Sequence, residues 1–304
     1  MNTRAAPAAS PTPTLLPGLL LATFGAIAFS GKAIIVKLAY RYGVDAVTLI
    51  MYRMLFALPM FVLLAWWAGR RRAPLERRDW LAVAGLGFCG YYLASYLDFA
   101  GLAYVTASFE RLVLYLNPTM VLLLGGVLFR RPVTARQLFA LAVSYCGVLL
   151  VFGHELQVVG SNVLLGAALV FGSALSYAVY LVYSGEEVRR LGSLRLTGLA
   201  TTVACVLCIV QFALLRPLSA AMAVAPEVIW LSVLNATLCT FAPVLMVMMA
   251  IERIGSTLAA QTGMVGPMST ILMSVAILGE PFTPWVAAGT VLVLAGVWLL
   301  TRWR

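Results

Sequence analysis

The chain has 304 residues, of which 62% are hydrophobic and 11% charged, with a formal net charge of +10. Soluble domains carry roughly 25% charged residues, so this chain cannot cover itself with polar side chains and must take lipid as its solvent. Its apolar runs are long rather than alternating, which excludes a barrel. Only helices and closed barrels satisfy the backbone inside a bilayer, so the fold class is an all-α integral membrane protein.

Residues 1–14 hold one arginine and three prolines and read as a disordered tail. The run that follows is too long for a signal-peptide core and lacks a small-x-small cleavage site, so it reads as a retained first span. Ten transmembrane helices are expected, at 15–40, 46–68, 80–104, 107–129, 136–153, 162–184, 195–215, 228–250, 257–278 and 284–301. Only the loops at 70–79, 185–194 and 216–227 have any length, which leaves no room for a soluble catalytic domain.

Lysine and arginine counts set the expected orientation. With the N-terminus inside, fifteen loop and tail cations fall on the inner side, from Arg4 to Arg304, against only Arg41 and Arg216 outside. Both termini are therefore expected in the cytoplasm, in a multi-pass inner (plasma) membrane protein. The same bias accounts for the positive net charge, and no nucleic-acid partner is expected.

Displaced by 149 positions, the stretch 102–151 returns as 251–300. Pro118 falls on Pro267, Pro132 on Pro281, Thr134 on Thr283 and Gly147 on Gly296. The registered prolines make this a duplication rather than chance. The expected units are 15–153 and 162–301. Each holds five spans, an odd number, so the second copy is expected upside down. Inverted repeats of this kind are the architecture of many secondary transporters.

An apolar span with an internal proline, then Leu278-Gly279-Glu280-Pro281, then a span carrying Gly296-Val297, resembles the EamA-domain branch of the drug/metabolite transporter superfamily. Arg53 and the Phe29-Ser30 pair match its opening helices more loosely. The first copy departs from the pattern with Arg130-Arg131 in place of Gly-Glu, which favours a structural role for Glu280. The resemblance implies a secondary transporter, most like the exporters of amino acids, aromatic ones included. It implies no cofactor and a small-molecule substrate; a monomer suffices, and a dimer is compatible. The alternatives are a drug, cation or nucleotide-sugar transporter of the same fold and, less readily, an intramembrane enzyme.

Ionisable groups inside a span cost roughly 2.5–3.5 kcal/mol at the helix centre, so each calls for a reason. Lys32, Arg53, Asp98, Glu110 and Arg111 all fall in the outer half. Their counterparts in the second copy are Tyr180, Thr201, Val247, Ala259 and Ala260, so charge breaks the repeat's symmetry. One reading is an outward-opening vestibule whose cations meet a substrate carboxylate and whose anions meet an amino group. The other is that Arg53 pairs with Asp98 or Glu110 and clips helices together. Lys37, near the interface, reads as snorkelling to water.

Ser173, Ser176, Tyr177, Tyr180 and Ser184 form a polar stripe at helical spacing on the sixth span. Tyr91, Ser95 and Asp98 form one on the third. Hydroxyls beside aromatic rings suit an amphipathic substrate, while the plainer reading is hydrogen bonding between helices. Pro118, Pro267 and Pro243 interrupt the fourth, ninth and eighth spans and are candidate hinges. Cys205-x-x-Cys208 lacks the surrounding βαβ pattern of a redox site and reads as packing. The single His154, read as lying in an outer loop, excludes a His-rich zinc site. No metal site and no enzyme activity are expected.

Overall fold

The computed structural model describes residues 15–70, 72–130, 132–158, 162–263 and 265–302. The tail at 1–14 and three of the counted cations, Arg71, Arg131 and Arg304, lie outside these residues. Among the described residues every element is helical. Apart from a short helical turn at Leu218–Met222, they are α1 (Leu15–Tyr40), α2 (Ala46–Gly69), α3 (Arg77–Leu102), α4 (Ala107–Phe129), α5 (Ala135–Val158), α6 (Val163–Leu191), α7 (Ser193–Leu215), α8 (226–262), α9 (Val265–Leu278) and α10 (Pro284–Arg302). Nine of them are long and apolar enough to cross a membrane. The exception, α9, falls short of the roughly 20 residues a span requires.

Two expectations of the sequence are corrected at this level. The eighth and ninth spans are not divided at 251–256, because α8 stays helical through Thr262. The Glu252-Arg253 dip in hydropathy resembles a loop, but charge does not break a helix. Arg253 donates to the Met249 carbonyl one turn back, at 3.1 Å. The break falls at Gly263, where Pro267 removes the backbone donor. Similarly, α5 runs on to Val158, so His154 is helical, with its ring 6.5 Å from that of Trp285.

The ends of the helices are set by local chemistry. Asp45 caps α2, accepting the Val47 and Thr48 amides at 3.0 and 3.2 Å. Burial pushes the Asp45 carboxyl up, but the Thr48 hydroxyl and amide, the Arg216 charge and the Val47 amide together hold it below the usual carboxylate value. At the start of α3, Glu76 and Asp79 form a capping box, in which Asp79 accepts the Glu76 amide at 2.8 Å.

The 149-residue displacement reappears in the backbone. A wide π-helical turn interrupts α3 at Phe88–Leu93 and α8 at Thr237–Phe241. Arg130, the one non-glycine residue in the left-handed region among the described residues (φ 51°), corresponds to Gly279 (φ 73°). The packing follows the same exchange. Helix α1 lies along α8 and α9 while α6 lies along α3 and α4, and the equivalent helices pair with each other, α2 with α7 and α5 with α10.

Equivalent helices run antiparallel. Near one end of the α2–α7 pair, Gly198 packs on Ala65; at the other, Arg216 lies 3.3 Å from Asp45. In the α5–α10 crossing, a Cβ on Gly147 would meet the Gly289 carbonyl at 2.7 Å and one on Gly296 the Ala140 carbonyl at 2.6 Å. Close backbone approach at small residues is the usual device where lipid offers no hydrophobic drive for association. Phe61, Phe99, Leu49 and Ile50 fill the interior, whereas Leu214 and Val127 stand 79% and 78% exposed. Such outward apolar surface is expected of a chain solvated by lipid.

Candidate functional site

The charges of the first copy meet in the interior where α1, α3 and α4 converge. Lys32 Nζ lies 2.5 Å from Asp98 Oδ2 and 3.4 Å from Glu110 Oε1. Glu110 is fully buried, Asp98 is 2% exposed and Lys32 6%. Beside them the Arg111 Nε donates to the Thr270 hydroxyl on α9 at 2.9 Å, and its Nη2 reaches the Phe29 carbonyl at 3.4 Å. The Phe29 ring carries both cations, each 5.8 Å from its centroid. The group is enclosed rather than open, which corrects the expected vestibule.

The expected clip is also corrected. Arg53 makes no ion pair with Asp98 or Glu110 among the described residues. Its Nε donates to the Thr240 hydroxyl in the π-helical turn of α8 at 3.0 Å, and its guanidinium lies 5.2 Å over Phe99. Lys32 takes both carboxylates instead, from α1, which touches both α3 and α4. The site remains incompletely satisfied. Asp98 Oδ1, both Glu110 oxygens and Arg53 Nη1 are buried and have no hydrogen-bond partner among the described residues. Buried charges left this way are costly, and an incoming ligand with donors and acceptors of its own would complete them.

Directly beside the cluster, α4 is broken at 115–116 and the chain breaks at 263 between α8 and α9, nearly equivalent places in the two halves. Pro118 has no amide for the Leu114 carbonyl, which accepts from Asn117 Nδ2 at 2.6 Å instead. Pro267 likewise lacks an amide for the Gly263 carbonyl, which accepts the Gly266 amide at 2.9 Å and the Tyr115 hydroxyl of α4 at 3.0 Å. The residue at one break thus serves the backbone at the other. Ser30 on α1 donates to the Gly266 carbonyl at 2.7 Å, tying a third helix to the same point. Pro243 directly follows the π-helical turn of α8 rather than a sharp break.

Above the cluster, towards the arginine-poor end, two carboxylates hold the N-terminus of α4. Glu280, in the turn between α9 and α10, accepts the Ala107 and Ser108 amides at 2.8 and 3.2 Å and the Ser108 hydroxyl at 3.0 Å. Glu155 on α5 accepts the Thr106 hydroxyl at 2.5 Å and its amide at 3.4 Å. Thr106 in turn caps Phe109 at 3.1 Å. The otherwise orphaned amides of the first turn are all satisfied, and their positive dipole end faces negative charge. A cavity of ≈ 400 Å³ opens beside this cap, lined by Lys37, Tyr40, Thr106 and Glu280 among others. Lys32 lies five residues below Lys37, about 7.5 Å of helix rise.

The polar stripes lie elsewhere. Ser173 and Ser176 donate to the Ala94 and Cys89 carbonyls of α3, both at 2.7 Å, at and just beyond its π-helical turn. Tyr91 and Tyr180 share a hydrogen bond of 3.2 Å, and Tyr177 stacks on Tyr180. Ser184 bonds back to its own helix. The stripe is thus a seam between α3 and α6, while Ser95 is half-buried a turn before Asp98. Of the sequence-nominated residues, Lys32, Asp98, Glu110 and Arg111 are brought together; Tyr91, Ser173, Ser176, Tyr177 and Tyr180 form a second group.

Sequence reasoning passed over Glu155, Thr270, Thr240 and Tyr115. None is charged deep within a span or set in a motif, and each acquires its partner only through tertiary contact. Phe29 and Ser30 were legible only as a resemblance, and their contacts with Lys32, Arg111 and Gly266 give them a physical role.

The comparisons accord with this geometry. The EamA-like transporter family model matches residues 16–153 and again residues 164–302. An uncharacterized transporter of Bacillus subtilis, YcbK, is 29% identical over 270 residues, covering 86% of each chain. An uncharacterized transporter of Archaeoglobus fulgidus is 24% identical over 283 residues, 93% of this chain and 96% of its own. A protein of known crystal structure shares the fold with a TM-score of 0.62 at 15% identity, over 94% of this chain and 96% of its own. Nine apolar helices, two matches to one family model and transporter relatives along most of the length lead to one assignment: the chain belongs to the EamA-like transporter family.

Proposed function

We propose that this protein is a secondary transporter of ten helices in two inverted repeats that exports amino acids, aromatic ones included, by alternating access. The observation that carries the reading is the buried meeting of Lys32, Asp98, Glu110 and Arg111 over the ring of Phe29. A zwitterion brings a carboxylate for the cations and an ammonium for the carboxylates, and an apolar side chain can lie on the ring. With Arg53, the cations outnumber the carboxylates by three to two, which favours a substrate carrying a carboxylate over an organic cation. Antiparallel packing of α2 on α7 and α5 on α10 supports the inverted arrangement.

In this reading Pro118 and Pro267 are the hinges. Their broken helices share hydrogen bonds across the centre, so a movement of one is felt by the other. The α4 cap by Glu280 and Glu155 closes the outer side, and the arginine-rich end faces the cytoplasm of an inner-membrane protein. Tyr91, Ser95, Ser173, Ser176, Tyr177 and Tyr180 would line the path once α3 and α6 part. Flux of labelled amino acids into proteoliposomes, with and without a pH gradient, tests the proposal. Aromatic and aliphatic amino acids are expected to move, and preferential movement of organic cations or nucleotide sugars would refute it.

A further inference from the structure

A second cavity, of ≈ 410 Å³, lies at the arginine-rich end between the last turns of α2 and the first turns of α7, away from the charge cluster. Its floor is apolar, with Val62, Ala65 and Leu199, and Trp66 stands 64% exposed at its rim. Arg70 and Arg195 border it, and among the described residues no carboxylate lines it. Arg195 is half-buried and lies flat on α2 because position 69 is glycine; a Cβ there would sit 3.2 Å from its Nε. Its Nη1 donates to the Ala73 carbonyl at 3.0 Å, and its other N–H groups have no partner among the described residues. Arg70 stacks between Trp66 and Trp67, 5.9 Å from each ring, and is in no ion pair among the described residues.

We propose that this groove holds one anionic phospholipid. Guanidinium groups match the phosphodiester geometrically through paired N–H donors, and the apolar floor takes the first part of an acyl chain. Tryptophan at the rim is characteristic of the headgroup level of a bilayer. A soluble phosphate would leave the floor unused, and a zwitterionic headgroup would bring its own cation against two uncompensated arginines. Since α2 and α7 belong to different halves of the chain, the bound lipid braces them against each other. The inference rests on the groove alone and not on the transported substrate.

Native mass spectrometry of the purified full chain in a non-ionic detergent tests it. The probes are phosphatidylglycerol, phosphatidylcholine with the same acyl chains, and glycerol phosphate. One phosphatidylglycerol is expected to be retained in preference to phosphatidylcholine. Arg195→Gln is expected to weaken retention about fivefold, as for one cation at an anionic surface. Arg302→Gln, which alters an exposed arginine stacked on Trp298 outside the groove, should leave it unchanged. Arg70→Gln, at the exposed end of α2, gives the same reading should Arg195→Gln fail to fold. Equal retention of phosphatidylcholine, displacement of the lipid by an equal concentration of glycerol phosphate, or wild-type retention by the arginine variants would overturn the proposal.

Discussion

Lys32 is the one cation within ion-pair distance of both Asp98 and Glu110 among the described residues, and Lys32→Met removes it while keeping most of the stem's volume. Both carboxylates then lose the one ion-pair partner they share, and neither has hydrogen-bond donors for its remaining oxygens. Breaking a buried pair from one side costs about 3–5 kcal/mol, and protonation of one acid brings the expected loss to the lower end, about 3 kcal/mol. The double variant Lys32→Met/Asp98→Asn removes one of the two stranded charges and should recover about half of that loss, on the same reasoning. Thermal unfolding in detergent measures stability, and flux into proteoliposomes at matched protein content measures transport. If Lys32 touches substrate, flux stays at least about tenfold down in the double variant, since one lost charge-assisted contact is worth about 1.5–3 kcal/mol. Flux that returns in step with stability would show that the lysine is only a clip, and the substrate reading would fail.

Glu280→Gln keeps an acceptor but loses the charge that holds two amides and a hydroxyl of α4, at an expected cost of about 2 kcal/mol; hydrogen exchange at residues 107–110 should quicken, and unchanged protection would refute the closing role. Arg130→Gly relieves a left-handed backbone where the other half already has glycine, and should stabilise the chain by about 1 kcal/mol in thermal melts. Asp45→Ala should cost about 1 kcal/mol and Asp45→Asn less, because an amide oxygen can still cap α2. The carboxyl's pKa is lower folded than unfolded, so its contribution is present above the ordinary aspartate range and lost as pH falls through the folded value. Wild type and Asp45→Asn should therefore converge in stability once the pH has fallen below the folded carboxyl's lowered pKa, and a gap that persisted at full protonation would refute the cap's charge dependence. Tyr115→Phe removes the bond from α4 to the Gly263 carbonyl, which keeps the Gly266 amide, and should alter transport rate more than stability, read as flux against melting temperature.

Hydropathy alone determined that this chain lives in lipid, because 62% apolar composition leaves no other solvent. The registered prolines determined where its helices break, since a missing amide acts locally wherever the chain goes: Pro118 and Pro267 gave matching breaks. The ionisable residues of the site were also legible, because a charge within a span is conspicuous by its cost. What the sequence could not supply was partnership. Lys32 rather than Arg53 meets the carboxylates because tertiary packing sets that point of α1 against α3 and α4, bringing together residues 66 apart in the chain. The serine stripe of α6 was visible as a face, but only packing showed that this face bonds to carbonyls around the π-helical turn of α3. Glu280 and Glu155 cap a helix to which neither belongs, and their role depends on amides that tertiary contact places beside them. Local chemistry along the chain set the elements and their weak points, and the exchange of helices between the two halves decided which charges, amides and rings would face one another.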